Sequence, residues 1–333
     1  MDSLTQIVLG AAVGEAVLGR KVGNKAMLYG AIAGTIPDLD TFASYFTDTI
    51  TAIEVHRGFS HSIIFSILGA FVFGWLVSKI EKRSGVGWKG WSKLMFWGLF
   101  THPLLDCFTT WGTQLFWPLD IRIAIKSVFV IDPLYTLPFI ILVILAMRRR
   151  RDDPKRAKFN KLGLLISSGY LVLGLIFKSI AYGNFKQSLE KQGIFYERMD
   201  VRPTPFNTIL WTANVETEDA YLLGYFSLFD KQLVRFKAYP KHHEYLGDLK
   251  NDKNVQGLIH ISQGWYIISE EEGSLYFNDL RFGKLDITDR ESNFVFSYKL
   301  IPDNGTIKAE EVSKRPDEGA KLLRELWERL KGN

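Results

Sequence analysis

Six ionisable side chains stand in otherwise apolar sequence in the first third of the chain. Asp38 and Asp40 lie in Pro37-Asp38-Leu39-Asp40, which closes a short helix. His56 and His61 lie in His56-Arg57-Gly58-Phe59-Ser60-His61-Ser62, which opens an apolar run. His102 and Asp106 lie within another, in His102-Pro103-Leu104-Leu105-Asp106. Such residues are costly at membrane depth, so they are usually paired, cavity-facing and functional. His102 and Asp106 are four apart and share one helix face. Imidazole nitrogen combined with carboxylate oxygen suits zinc, and also manganese or iron, and the single Cys107 leaves no thiol-rich alternative. The expected metal ligands are therefore Asp38, Asp40, His56, His61, His102 and Asp106. Glu15, inside an apolar helix, and Asp132, beside Pro133 near the start of a further run, are additional candidates.

Each residue alone has a plainer reading. Asp38 or Asp40 could cap a turn, His56 and His61 could be interfacial side chains, and His102 with Asp106 could be a helix-packing pair. The plain reading must hold for all six at once, which weakens it. Arg57 reads either as an interfacial anchor or as a phosphate-binding fork. Ser60 and Ser62 read as caps or packing residues rather than nucleophiles.

The elements that must position these groups are membrane helices. Gly58–Ser78 holds no acidic or basic residue except His61, Ser127–Met147 holds one acid, and Leu162–Phe177 is uncharged between Lys161 and Lys178. Each approaches the roughly 20 residues that cross a bilayer core. Leu94–Gly112 is a fourth candidate, and Leu4–Leu18 and Lys25–Ile36 are shorter, small-residue-rich helices suited to close packing. The mean hydropathy of only +0.02 hides a split, with apolar runs before about residue 180 and charge after it. The net charge of +5 comes from basic residues bunched in loops, so topology explains it better than nucleic acid does. Arg20-Lys21, Lys79–Lys93 and Arg148–Lys158 then face the cytoplasm, and Asp38–His61, Trp111–Arg122 and the chain after Phe177 face outward.

From about Tyr182 the composition changes to short β-branched and aromatic runs, Thr208–Val215, Tyr221–Phe229, Leu258–Ile268 and Phe294–Leu300. Turn signals separate them, among them Glu272-Gly273 and Asp303-Asn304-Gly305. Pro316–Leu330 reads as a terminal amphipathic helix. His242, His243 and His260 read as loop or strand residues without catalytic roles. The expected fold is an α-helical membrane bundle of about four to six membrane helices over residues 1–181, followed by an extracytoplasmic, β-rich α+β soluble domain over residues 182–333.

Met1-Asp2-Ser3-Leu4-Thr5-Gln6, Gly34-Thr35-Ile36-Pro37-Asp38-Leu39-Asp40, the His56–Ser62 stretch and His102–Asp106 together resemble the YdjM-type inner-membrane proteins, a family assigned to metal-dependent hydrolases. The resemblance covers roughly residues 1–180. Arg202-Pro203-Thr204-Pro205-Phe206-Asn207 with Trp211 is similar to a subgroup carrying an appended soluble domain. The family is distantly similar to zinc-dependent phospholipase C and related single-strand nucleases, all-α enzymes that hydrolyse phosphate esters. That likeness implies a divalent-metal hydrolase of phosphate esters in the inner membrane, and the outward-facing place of the site points to a lipid or lipid-linked phosphoester at the outer-leaflet side. Asp40 or Asp106 would orient or deprotonate water, and Arg57 would neutralise phosphate charge. Many members carry His where this chain has Gln6, so either Glu15 replaces it or the cluster holds fewer metals. The competing reading is a non-catalytic membrane protein with a structural or ion-binding cluster and a partner-binding soluble domain.

Overall fold

The computed structural model describes residues 1–47, 50–52, 56–284, 294–303, 306–312 and 319–333. Two compact units emerge. One comprises Met1–Phe46, Glu54–Leu175 and Pro205–Asn207; the other comprises Thr47–Ile53, Ile176–Thr204 and Thr208–Asn333.

The first unit is helical. Helix α1 (Ser3–Val22) starts where the Asp2 side chain accepts from the Thr5 amide, and Arg20 and Lys21 sit in its last turn, where they complement the helix dipole. Gly23, at φ 62°, turns the chain into α2 (Asn24–Thr35). The two helices pack backbone to backbone: a Cβ at Gly10 would lie 2.2 Å from the Gly30 carbonyl oxygen, and one at Gly14 would lie 2.1 Å from that of Ala26. Pro37 follows α2, and the chain tightens into a 3-10 segment, Ile36–Tyr45, that carries both aspartates.

Helix α3 (Ile63–Ile80) is capped by Ser62, whose side chain accepts from the Phe65 amide at 3.0 Å. Helix α4 (Trp88–Asp106) packs on it through Trp91, Leu94, Met95 and Leu99. Helix α5 (Pro133–Met147) sets Tyr135, Phe139, Val143 and Ala146 against Val8 and Ala12 of α1. Helix α6 (Pro154–Lys191) is 38 residues long.

Among the described residues, two helices are long and apolar enough to cross a membrane, α3 and α6. The expected four to six are not reached. Helix α5 has only 15 residues, because Asp132 and Pro133 start it late. Lys89, Lys93, His102 and Asp106 make α4 too polar. In α1, Glu15, Arg20 and Lys21 have the same effect.

The second unit holds two antiparallel four-stranded meanders. The first is β1 (Arg198–Pro203), β2 (Leu210–Glu216), β3 (Ala220–Ser227) and β4 (Phe236–Pro240); the second is β5 (Tyr266–Glu271), β6 (Ser274–Lys284), β7 (Phe294–Asp303) and β8 (Thr306–Glu311). The C-terminal end of α6 lays Ala181, Phe185 and Leu189 on Trp211, Ala213 and Val215 of the first sheet. Glu272 and Gly273 both have positive φ and form the β5–β6 turn, the mirror-image geometry that suits strand twist. Arg202, buried, joins the sheets by donating to the Leu280 carbonyl at 3.0 Å.

Leu258–Ile268 does not form the expected strand. Its first part belongs to helix α7 (Lys253–Ile261), and β5 begins only at Tyr266. Asp252 caps α7, and Val255 and Leu258, three apart, bury one face on the second sheet. Helix α8 (Gly319–Leu330) supplies the terminal amphipathic helix, while residues 316–318 of that expectation and Asn304-Gly305 of the last turn lie outside the described residues.

Candidate metal centre

Three elements of the helical unit bring four donor groups together. The 3-10 segment after α2 supplies Asp38. A short 3-10 turn, Phe59–His61, supplies His61 just before the Ser62 cap of α3. The last turn and a half of α4 supplies His102 and Asp106. One donor atom from each lies within 4.8 Å of the others. His61, His102 and Asp106 are fully buried or nearly so, and the Asp38 side chain keeps 20% exposure.

The proton positions follow from the partners. His102 Nδ1 lies 2.6 Å from the Gly34 carbonyl oxygen, which can only accept, so Nδ1 carries the proton and Nε2 of the neutral ring a lone pair. His61 Nδ1 lies 3.0 Å from Ser60 Oγ and 3.2 Å from Asp40 Oδ2. Ser60 Oγ donates to that same Asp40 oxygen at 2.5 Å, so His61 Nδ1 must donate as well. The two Nε2 atoms face each other at 3.1 Å: with both rings neutral they meet lone pair to lone pair, and a second proton on His61 would lie between them and Asp38. Asp38 Oδ1 completes a triangle with them at 3.4 and 3.5 Å, and Asp106 Oδ2 stands 3.6 and 3.7 Å from the pair. Asp106 Oδ2 is buried without a hydrogen-bond partner.

Four donors around a cation at zinc-like bond lengths would stand about 3.3–3.4 Å apart along each tetrahedral edge. The five distances above bracket that spacing, and the donor set, two imidazoles and two carboxylates, is one that zinc, manganese and iron accept. The cluster could hold a metal ion. Its surroundings have the order expected behind metal ligands, with each imidazole fixed through its other nitrogen.

Asp40 stands behind this set. Its carboxylate takes His56 Nδ1 at 2.7 Å, the Arg57 amide at 3.0 Å, Ser60 Oγ and His61 Nδ1. Burial opposes charge on Asp38 and on Asp40. The imidazoles of His102 and His61 beside Asp38, and of His56 and His61 beside Asp40, outweigh it and hold both carboxyls well below the usual carboxylate range. His56 is thus one step removed from the four donors, with its ring edge-on to His61 at 5.7 Å.

Arg57 has φ 64° and is buried. Its guanidinium is turned inward, with Nε 3.4 Å from Asp106 Oδ2 and a terminal nitrogen donating to Thr109 Oγ1 at 3.0 Å. On the far side of Asp106, Gln6 Nε2 donates to Oδ1 at 2.9 Å, and the amino group of Met1 bonds the same oxygen.

Two expected ligands are not brought here. Glu15 pairs with Arg156, Oε1 taking Nε at 2.7 Å and Oε2 a terminal nitrogen at 2.5 Å. Asp132 caps α5 through the Leu134 and Tyr135 amides and accepts from Tyr170 Oη at 2.8 Å. Both carboxylates are already satisfied, one by charge and one by a helix start. Sequence reading did not find the Gly34 carbonyl or the orienting role of Ser60. A carbonyl has no residue signature, and Ser60 beside His61 was the only available hint.

The family model described as YdjM inner membrane protein matches residues 1–181. No curated protein and no solved structure matches the chain. The matched segment is more than half of the 333 residues and contains every donor of the cluster. By that match, the chain belongs to the YdjM inner membrane protein family.

Proposed function

We propose that Asp38, His61, His102 and Asp106 hold one divalent cation, zinc in the first instance, and that the chain is a membrane-embedded metal-dependent hydrolase of a lipid or lipid-linked phosphoester. The observation that carries this reading is the facing pair of Nε2 atoms, with Asp106 Oδ2 beside both and without a hydrogen bond of its own. A cation bound there would lower the pKa of a bound water and polarise a phosphoryl oxygen. The protein's part is positioning. Asp40, engaged by four donors, orients His61 rather than acting as a base. Arg57, turned onto Asp106, holds that ligand in place rather than reaching for phosphate. Asp38, the most exposed of the four, and His56, with 27% side-chain exposure, mark the side from which a substrate would approach. The expected orientation puts this side at the outer leaflet and the second unit outside the cytoplasm. The choice of phosphoesters as substrates rests on the resemblance of the His102-x-x-x-Asp106 pattern to that of zinc-dependent phospholipase C, read from the sequence alone.

One observation favours the second reading, a structural cation site in a non-catalytic protein. Four protein donors fill a tetrahedral shell, whereas catalytic zinc keeps a position open. Hydrolysis therefore requires Asp38 to yield its place or the shell to expand.

The test is elemental analysis of protein purified without chelators, followed by phosphodiesterase assays on phospholipid and lipid-linked phosphate. Stoichiometric metal in the wild type and in His56→Ala, lost in His61→Ala and His102→Ala, is expected. Metal with no turnover in the wild type moves the assignment to the structural site. No metal in the wild type removes both.

A further inference from the structure

A second polar feature lies at the opposite end of α3 from His61. Phe71, Trp75 and Trp88 form the floor of a groove of about 710 Å³, and Lys79 and Lys82 form its rim. Phe71, Trp75 and Lys79 recur every four residues, so they stand on one face of α3 toward its C-terminal end, and Lys82 lines the same groove from the 3-10 turn that follows. The Lys79 ammonium sits over the Trp75 ring at 5.5 Å. The one acid in the loop, Glu81, is drawn away: it accepts from Lys25 Nζ at 2.7 Å and from Tyr29 Oη at 3.3 Å. The rim therefore keeps its positive charge.

A third group adds to it. Gly87, which lines the same groove, is the N-cap of α4, and no side chain caps that helix. The α4 start presents amide N–H groups and the positive end of its dipole, an arrangement that accepts phosphate.

We infer that this groove binds one anionic phospholipid, its phosphate held by Lys79, Lys82 and the start of α4 and its upper acyl chain laid on Phe71, Trp75 and Trp88. The order of the residues decides between a lipid and a soluble anion. The apolar floor extends from the basic rim back along α3, an 18-residue helix apolar enough to span a membrane, so the gradient along the groove matches headgroup above chain. Basic pockets where membrane helices meet the aqueous phase recognise anionic headgroups on this principle. The site is separate from the metal cluster and does not depend on it.

The test is native mass spectrometry of the full chain in detergent, titrated with phosphatidylglycerol, with phosphatidylethanolamine, and with glycerol 3-phosphate as competitor. The wild type should bind one phosphatidylglycerol in preference to phosphatidylethanolamine. Lys79→Gln with Lys82→Gln should weaken that binding roughly tenfold or more. Gly87→Asp gives a sharper result. A Cβ at Gly87 meets nothing within 4 Å, and its φ of -71° and ψ of 167° suit a capping Asp, so the variant should fold at least as well as the wild type while placing a carboxylate where the phosphate sits. It should lose phosphatidylglycerol and keep its melting temperature. Equal binding of the two lipids, or binding unchanged in both variants, overturns the inference. Competition by glycerol 3-phosphate as strong as by the lipid also overturns it and reassigns the groove to a soluble phosphate.

Discussion

The helical unit buries two polar clusters, and they solve the cost of burial in opposite ways. Around Glu15 every charge meets its complement: Arg156 gives the carboxylate two hydrogen bonds, and its remaining nitrogen reaches Asn24 Oδ1 at 2.7 Å and the Arg149 carbonyl at 2.9 Å. Around His61 and His102 the candidate metal-binding atoms converge on one another instead, and with both rings neutral all four are acceptors. A cluster that neutralises itself needs nothing further and is structural. A cluster of converging lone pairs is incomplete without a proton or a cation. Both begin as ionisable residues in apolar sequence, so burial alone does not separate a brace from a site; the balance of donors and acceptors does.

The largest effect expected from this contrast is at the brace. Arg156→Ala strands a buried carboxylate and should destabilise the chain by about 3–5 kcal/mol, measured by unfolding in mixed micelles, while the metal content of the folded fraction stays at the wild-type level. Loss of metal in that variant would show that the two clusters are not independent.

At the other cluster, Asp40→Asn touches no donor atom of the four but loosens His61. Metal affinity should fall about 10–100-fold, as for other partners that orient a ligand, read by competition with a chelating dye. An unchanged affinity would break the assignment of Asp40 as the residue that sets His61.

Proton competition should follow the same logic. In the metal-free chain, burial disfavours the charged form of His61, but hydrogen bonds to Asp38 and Asp40 outweigh it and raise its pKa above the ordinary 6.5. That stabilisation is complete below the ordinary value and fades as pH rises through the raised one. Cation binding must remove the proton, so apparent affinity should climb as pH rises from the ordinary imidazole value through the raised one, with measurable proton release. Calorimetry in buffers of differing ionisation enthalpy checks this, and a flat profile would count against His61 as a ligand.

The smallest effect is expected from replacing the whole brace. Glu15→Met together with Arg156→Met should be near neutral, because the pair's attraction repays little more than its desolvation. A loss as large as that of Arg156→Ala alone would mean that the brace does more than neutralise itself.

Much of this protein was legible in residue order. The four side chains that converge, Asp38, His61, His102 and Asp106, were among the eight named as candidate ligands from residue type and apolar setting; Asp40, His56, Glu15 and Asp132 were named with them and lie outside the four. Local spacing carried the α1–α2 hairpin, the Ser62 cap and the Glu272-Gly273 turn, because caps and turns depend on a few neighbouring residues. Helix α7 was misread as strand: Ile259-His260-Ile261 alternates over too short a run to reveal its period, and the burial of Val255 and Leu258 decided it.

The amino-acid sequence by itself determined that the first half is apolar and helical, that the second half is β-rich, and that imidazoles and carboxylates are sunk into the former. Only the tertiary structure decided which of them meet. Glu15 and Asp132 have the same chemistry and the same apolar setting as Asp106, yet Arg156, 141 residues away, claims one and a helix start claims the other. His56 and His61 are five residues apart, and only the turn at Phe59–His61 puts one among the donors and leaves the other behind Asp40. Which side chain becomes a ligand depends on which long-range partner reaches it, and local sequence does not encode that distance.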